Sequence, residues 1–108
     1  IDLSPLKNMA NLKHLDLSNT ETKDLSPLAM LTKLEHLSLT NTLVSDLTPL
    51  TNIKSLKRLN LKISQVKDLN PLRNLTKLER LNLTNTKVND LSPLKDLLSL
   101  EYLYIGST

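Results

Sequence analysis

The chain has no cysteine, phenylalanine or tryptophan, and glycine occurs only once, at Gly106. Without cysteine it can form no disulfide, no thiol nucleophile and no cysteine-ligated zinc site. A small globular core normally mixes aromatic and branched side chains to fill irregular space. A chain whose apolar residues are mainly leucine therefore suggests a core in which one packing arrangement is repeated many times.

Strong charge imbalance and long apolar runs are also lacking. The 108 residues carry 14 Lys and Arg against 11 Asp and Glu, which gives a formal net charge of +3. This mildly basic balance does not by itself indicate nucleic acid. No segment approaches the ~18 apolar residues that a membrane span requires. We therefore expect neither nucleic-acid binding nor membrane insertion.

What the sequence does contain is a repeat of 22 residues with its apolar positions in register. The L-x-x-L-x-L segment of Leu12, Leu15 and Leu17 alternates like a strand that buries one face. Later in the unit Leu25, Leu28 and Leu31 are spaced by three, which predicts a 3₁₀-like turn. The column that begins with Leu15 continues through Leu37, Leu59, Leu81 and Leu103. Each repeat, here called a coil, should stack on the next and pair its strand in parallel.

The start of each turn carries its own signals. A hydroxyl or amide residue occupies the predicted N-cap, and proline follows at the first helical position. These pairs are Ser4-Pro5, Ser26-Pro27, Thr48-Pro49, Asn70-Pro71 and Ser92-Pro93. A column of acids precedes them: Asp2, Asp24, Asp46, Asp68 and Asp90. Such a column could suggest calcium, but we expect its carboxylates to accept loop backbone N–H groups instead.

The pattern strongly resembles the 22-residue leucine-rich repeats of bacterial internalins and of the related phosphatase-regulator type. The resemblance covers essentially the whole chain, as in Leu34-Glu35-His36-Leu37-Ser38-Leu39 and Val44-Ser45-Asp46-Leu47-Thr48-Pro49-Leu50. It implies a right-handed solenoid with a concave parallel β-sheet and 3₁₀-like turns on the convex side. It also implies binding of a partner protein through the concave sheet, and a secreted or cell-surface location.

One column departs from that family. Its pattern has asparagine three residues after the last strand leucine, where this chain has Thr20, Thr42, Ser64, Thr86 and Thr108. A hydroxyl can still bond a neighbouring backbone group, although its reach is shorter than that of an amide. Asn19, Asn41 and Asn85 lie one position earlier and should not be mistaken for the family's asparagine ladder.

Residues 1–108 form a single segment of about five coils, without a polar capping unit at either end. We therefore expect an excerpt of a longer protein. Uncapped ends would also permit edge-to-edge association, although the oligomeric state is not predicted. Function should lie in the variable positions between the leucines, because the leucine columns mainly provide stability.

The side chains that flank the inward leucines project from the concave sheet and form the predicted partner-binding site. Arginine and tyrosine most often anchor interfaces. We therefore predict Arg58, Arg80, Tyr102 and Tyr104 as anchors, with His14, His36, Asn60 and Asn82 completing the surface. The function predicted is protein–protein recognition. The alternatives are a structural spacer in a larger surface or effector protein, a regulatory segment for an associated enzyme, and polyanion binding.

No catalytic, cofactor or metal site is predicted. Ser38, His36 and Asp16 fall near one another, but an exposed sheet neither excludes water nor supplies an oxyanion site. His14 and His36 could share an ion with Asp16 as a third ligand. Such a site would also need further ligands and hydrogen-bond partners that orient them, but the neighbouring residues are basic or neutral. From the sequence alone we favour exposed polar histidines.

Overall fold

The computed structural model describes residues 2–106, which form one parallel sheet of five short strands. The strands are β1 (His14–Asp16), β2 (His36–Ser38), β3 (Arg58–Asn60), β4 (Arg80–Asn82) and β5 (Tyr102–Tyr104). Each strand pairs with the next in chain order. Residues one repeat apart face each other, so Leu15 pairs with Leu37 and Leu37 with Leu59. The predicted stack of coils is confirmed.

Backbone pairing continues beyond the strands. The N–H of Leu17 donates to the carbonyl of Ser38 at 2.9 Å, and that of Asn19 to Thr40 at 2.8 Å. On the other side of each loop the N–H of Leu43 donates to Thr22 at 2.9 Å. Each coil is thus joined to the next by backbone bonds at several points of its turn.

Five 3₁₀ helices lie among the described residues, at the positions that the three-residue leucine spacing predicts. They span Ser4–Asn8, Ser26–Leu28, Thr48–Leu50, Asn70–Leu72 and Ser92–Leu94. None of the helices formed by residues 2–106 is long and apolar enough to cross a membrane.

The predicted capping arrangement is right for the aspartates and wrong for the residues before proline. Ser26 is the first residue of its helix, Leu25 holds the cap position, and no side chain caps the helix in the usual way. Instead, Asp24 Oδ1 accepts the N–H of Ser26 at 2.9 Å. The same bond at 2.9 Å recurs at Asp2, Asp46, Asp68 and Asp90. The acidic column therefore orders the loop that leads into each helix.

Burial depends on whether a coil has neighbours on both sides. Leu28, Leu50 and Leu72 are fully buried, whereas Leu103 on the last strand is 38% exposed. At about 1.5–3 kcal/mol for each fully buried leucine, the leucines of the central coils supply most of the stability.

The loop after each of the strands β1 to β4 turns through a left-handed residue. Asn19, Asn41 and Asn85 have φ near +60°, a conformation that asparagine tolerates. Asn41 Nδ2 also donates to Asn19 Oδ1 at 3.0 Å, an exposed bond between the first two coils. In the third coil the same conformation is forced on Ile63, at φ 56°.

The hydroxyl column behind these residues behaves as predicted at three positions. Thr20, Thr42 and Thr86 donate to the carbonyl three residues earlier at 2.7–2.8 Å. Ser64 does not: its buried Oγ has no hydrogen-bond partner within residues 2–106. Thr108 lies outside the described residues. The third coil therefore combines a strained backbone with an unsatisfied hydroxyl.

Candidate functional site

The exposed face of the sheet carries two rows of side chains, one residue before and one after the inward leucines. The first concave row is His14, His36, Arg58, Arg80 and Tyr102, and the second is Asp16, Ser38, Asn60, Asn82 and Tyr104. Paired residues occupy neighbouring strands that are about 4.8 Å apart. The face is hollowed by a depression of about 460 Å³.

The structure brings the predicted site residues together on this face. Those that line the depression are His14, His36, Arg58, Asn60, Arg80, Asn82 and Tyr104. Tyr102 lies beside the depression and packs instead against Arg80, whose guanidinium carbon is 4.5 Å from the ring centroid. This cation–π contact holds one predicted anchor against another.

His14 and His36 stack face to face at the other end of the sheet. Their ring centroids are 4.3 Å apart and their planes differ by 3°. Burial, followed by the nearby His14 and Arg58, lowers the pKa of His36. The neutral imidazole is therefore favoured at His36, with one ring nitrogen able to accept a proton or a metal.

The third group next to the histidines is Glu35, which sequence reasoning missed. One ligand atom each from His14, Glu35 and His36 lies within 4.8 Å of the others. Asp16, the third ligand suggested by sequence, is committed elsewhere, because its Oδ1 accepts the N–H of Ser18 at 2.9 Å. Hydrogen bonds from the Ser18 side chain and then its backbone lower the pKa of Asp16.

Asn60 and Asn82 have a structural role that the sequence analysis did not assign. Asn60 Oδ1 accepts the N–H of Lys62 at 3.0 Å, and Asn82 Oδ1 accepts that of Thr84 at 2.9 Å. Each amide oxygen thus closes a turn at the end of its strand, as Asp16 does in the first coil. Their amide nitrogens make no hydrogen bond within residues 2–106 and can donate to a partner. The sequence feature that indicates this turn-closing role is an Asp or Asn two residues before a polar loop residue.

The hydroxyl, imidazole and carboxylate on β1 and β2 do not form a relay. Ser38 Oγ is 2.7 Å from Ser18 Oγ and 3.4 Å from Thr40 Oγ1. In the described part of the chain no hydrogen bond joins Ser38 to His36 or His36 to Asp16. All three side chains line the depression on the exposed face of the sheet.

Comparison with known proteins agrees with this architecture. A family model described as leucine-rich repeats (2 copies) matches residues 10–52 and 54–96. No curated protein sequence matches the chain significantly. Internalin C2 of Listeria monocytogenes is 35% identical with a TM-score of 0.88, and the match covers 96% of this chain and 46% of that one.

Two further solved structures are similar. The Listeria monocytogenes internalin inlF is 34% identical with a TM-score of 0.72, over 98% of this chain and 38% of its own. A leucine-rich-repeat protein of Leptospira interrogans is 26% identical with a TM-score of 0.90, over 98% of this chain and 28% of its own. The chain therefore spans less than half the length of each of these three proteins. It is similar to bacterial internalins, and it belongs to the leucine-rich-repeat family, whose fold commonly serves as a protein–protein interaction module.

Proposed function

We propose that this chain recognises another protein through the concave face of its sheet. The observation that carries the proposal is the cluster of two arginines and two tyrosines at one end of that face. Arg58 and Arg80 stand opposite each other on β3 and β4, and Arg80 stands opposite Tyr102 on β5. Arginine and tyrosine are enriched among the residues that dominate interface energies.

The two arginines of the cluster lie on well-packed strands. Leu59 and Leu81, between the two concave rows, are 2% and 0% exposed and pack into the core. Side chains fixed on a packed sheet lose less conformational entropy on binding than the same side chains on a loop. The contact between Arg80 and Tyr102 restricts the anchors further.

The charge of the face indicates the chemistry of its partner. Arg58 and Arg80 are exposed on β3 and β4, beside amide groups of the second concave row. Guanidinium groups pair with carboxylates in bidentate geometry. We therefore infer a partner surface that offers carboxylates to the arginines and an apolar or polar patch to the tyrosines.

The test compares two quadruple-alanine variants as bait in cell extracts or on intact cells. The concave variant replaces Arg58, Arg80, Tyr102 and Tyr104. The control replaces two cations and two large exposed apolar residues outside the sheet: Met30, Lys54, Lys77 and Leu98. Both remove the same number of positive charges, and both must fold with melting temperatures that allow capture at the same temperature.

We expect a protein that is captured by the natural chain and the control variant and is lost with the concave variant. Equal capture by both variants would show that the binding surface lies outside the concave face and would contradict the proposal. A captured species that is a polyanion, with retention falling steeply as salt rises, would favour the polyanion alternative instead.

A further inference from the structure

We propose that His14, Glu35 and His36 form a Zn²⁺ site at the β1–β2 end of the concave face. His14 and His36 are partners in the β1–β2 register, so the sheet itself places two imidazoles side by side. Glu35 directly precedes His36 and brings its carboxylate to the same place. The proposal concerns the chain alone and does not depend on protein recognition.

The backbone beneath the three side chains is fixed. The N–H groups of Glu35 and His36 both donate to the carbonyl of Lys13, at 2.8 and 2.9 Å. The candidate ligand atoms lie within 4.8 Å of one another, and ligands around tetrahedral zinc are about 3.3 Å apart. The two imidazole rings are stacked in parallel, so metal binding requires the exposed His14 ring to rotate out of the stack toward the half-buried Glu35 and His36.

The donor set selects the class of cation. Two imidazoles and one carboxylate are a recurrent zinc ligand set that leaves a coordination position open. Calcium and magnesium require several oxygen ligands, which this cluster does not offer. Each imidazole would bind the ion through a ring nitrogen of its neutral form.

The surroundings limit the strength of the site. Arg58 is the neighbour of His36 in the first concave row, so its positive charge opposes a bound cation. We therefore expect weaker binding than at buried structural zinc sites. The open coordination position is accessible from the concave side, where a water molecule or a carboxylate from outside would complete the shell.

The experiment titrates ZnCl₂ into the tag-free chain by isothermal calorimetry, with CaCl₂ in a parallel titration. The test variants are His14→Ala, His36→Ala and Glu35→Gln. Glu79→Gln is the matched control, because Glu79 holds the same repeat position as Glu35 beside Arg80 rather than a histidine. Thermal melts without metal establish that every variant folds.

We expect one Zn²⁺ per chain, with affinity reduced about tenfold or more in each histidine variant and less in Glu35→Gln. Glu79→Gln should bind like the natural chain. Imidazole nitrogen signals of both histidines should shift together with zinc in NMR spectra. The proposal is overturned if zinc does not bind, if binding survives loss of either histidine, or if calcium binds equally well.

Discussion

Asn41 Nδ2 donates to Asn19 Oδ1 at 3.0 Å, and this bond between adjacent coils has no counterpart one coil later, where Ile63 stands. Ile63 is held at φ 56°, in the left-handed region that a β-branched side chain disfavours. Its side chain is also 42% exposed, so burial offsets only part of the strain.

Replacing Ile63 with asparagine should therefore stabilise the protein. Relief of the left-handed strain is worth about 1–2 kcal/mol, and 1 kcal/mol raises the melting temperature of a domain of this size by about 4–8 °C. Thermal and urea unfolding measure the gain. The converse change, Asn41→Ile, should lose a similar amount, and the strain argument fails if Ile63→Asn leaves stability unchanged or lower.

The hydroxyl of Ser64 supplies the second prediction. Ser64→Thr should raise the free energy of unfolding by about 1 kcal/mol, because threonine can adopt the bonded arrangement of Thr42 and Thr86. Ser64→Ala should be neutral or slightly stabilising, since it removes an unsatisfied buried group. Thr86→Ala should instead cost about 1 kcal/mol or more. Equal losses in the two alanine variants would show that Ser64 finds a partner in solution.

Acid should destabilise the solenoid through its aspartate column. At Asp24 and Asp90 the backbone N–H of Ser26 or Ser92 is the largest cause of a pKa below the usual 3.8, while at Asp46 the Thr48 side chain contributes most. Because the folded pKa lies below the unfolded value, these groups stabilise fully above the unfolded pKa. That contribution is lost as pH falls through the folded pKa.

We therefore expect the melting temperature to decline below about pH 4, near the unfolded aspartate pKa. A variant with asparagine at Asp24, Asp46 and Asp90 should decline less steeply between about pH 5 and pH 2. Circular dichroism melts across that range measure the difference. Asp96→Asn, whose side chain makes none of these loop bonds, is the control, and parallel curves for the natural chain and the triple variant would contradict the explanation.

The leucine columns predict unequal costs for the same substitution. Leu59→Ala should lower the free energy of unfolding by about 3 kcal/mol, because Leu59 is 2% exposed and leaves a cavity between two coils. Leu103→Ala, in the same column but 38% exposed, should cost about 1 kcal/mol. Chemical denaturation compares the two, and equal costs would mean that the last coil is packed as tightly as the third.

The fold could be predicted from sequence because its determinants are periodic. Leu15 and its successors specify the strand, and the leucines three apart specify the 3₁₀ helix. Individual hydrogen bonds could not be predicted as well, because spacing does not fix side-chain direction. Asp24 makes the loop bond predicted for it, whereas Ser26, which was predicted to cap the helix, does not.

The same limit applies to the candidate site. Its position on the sheet followed from alternation around the inward leucines, and the residues predicted there do meet. The role of each of these residues could not be predicted from the sequence. Asn60 and Asn82 are partly engaged in closing turns, and Glu35 rather than Asp16 joins the histidines. Both differences depend on rotamers at strand ends.

Strand pairing in strict register also determines how such a protein can change length. Removing residues 41–62 would join Thr40 to Ile63. Ile63 holds the same repeat position as Asn41, so the order of repeat positions across the junction would be unchanged. The backbone hydrogen bonds between coils and the leucine columns would continue across the junction. On the concave face, His36 would become the neighbour of Arg80. Loss or duplication of whole coils therefore shuffles the order of surface residues while it preserves the architecture, so recognition can be rewritten by recombination as well as by point mutation.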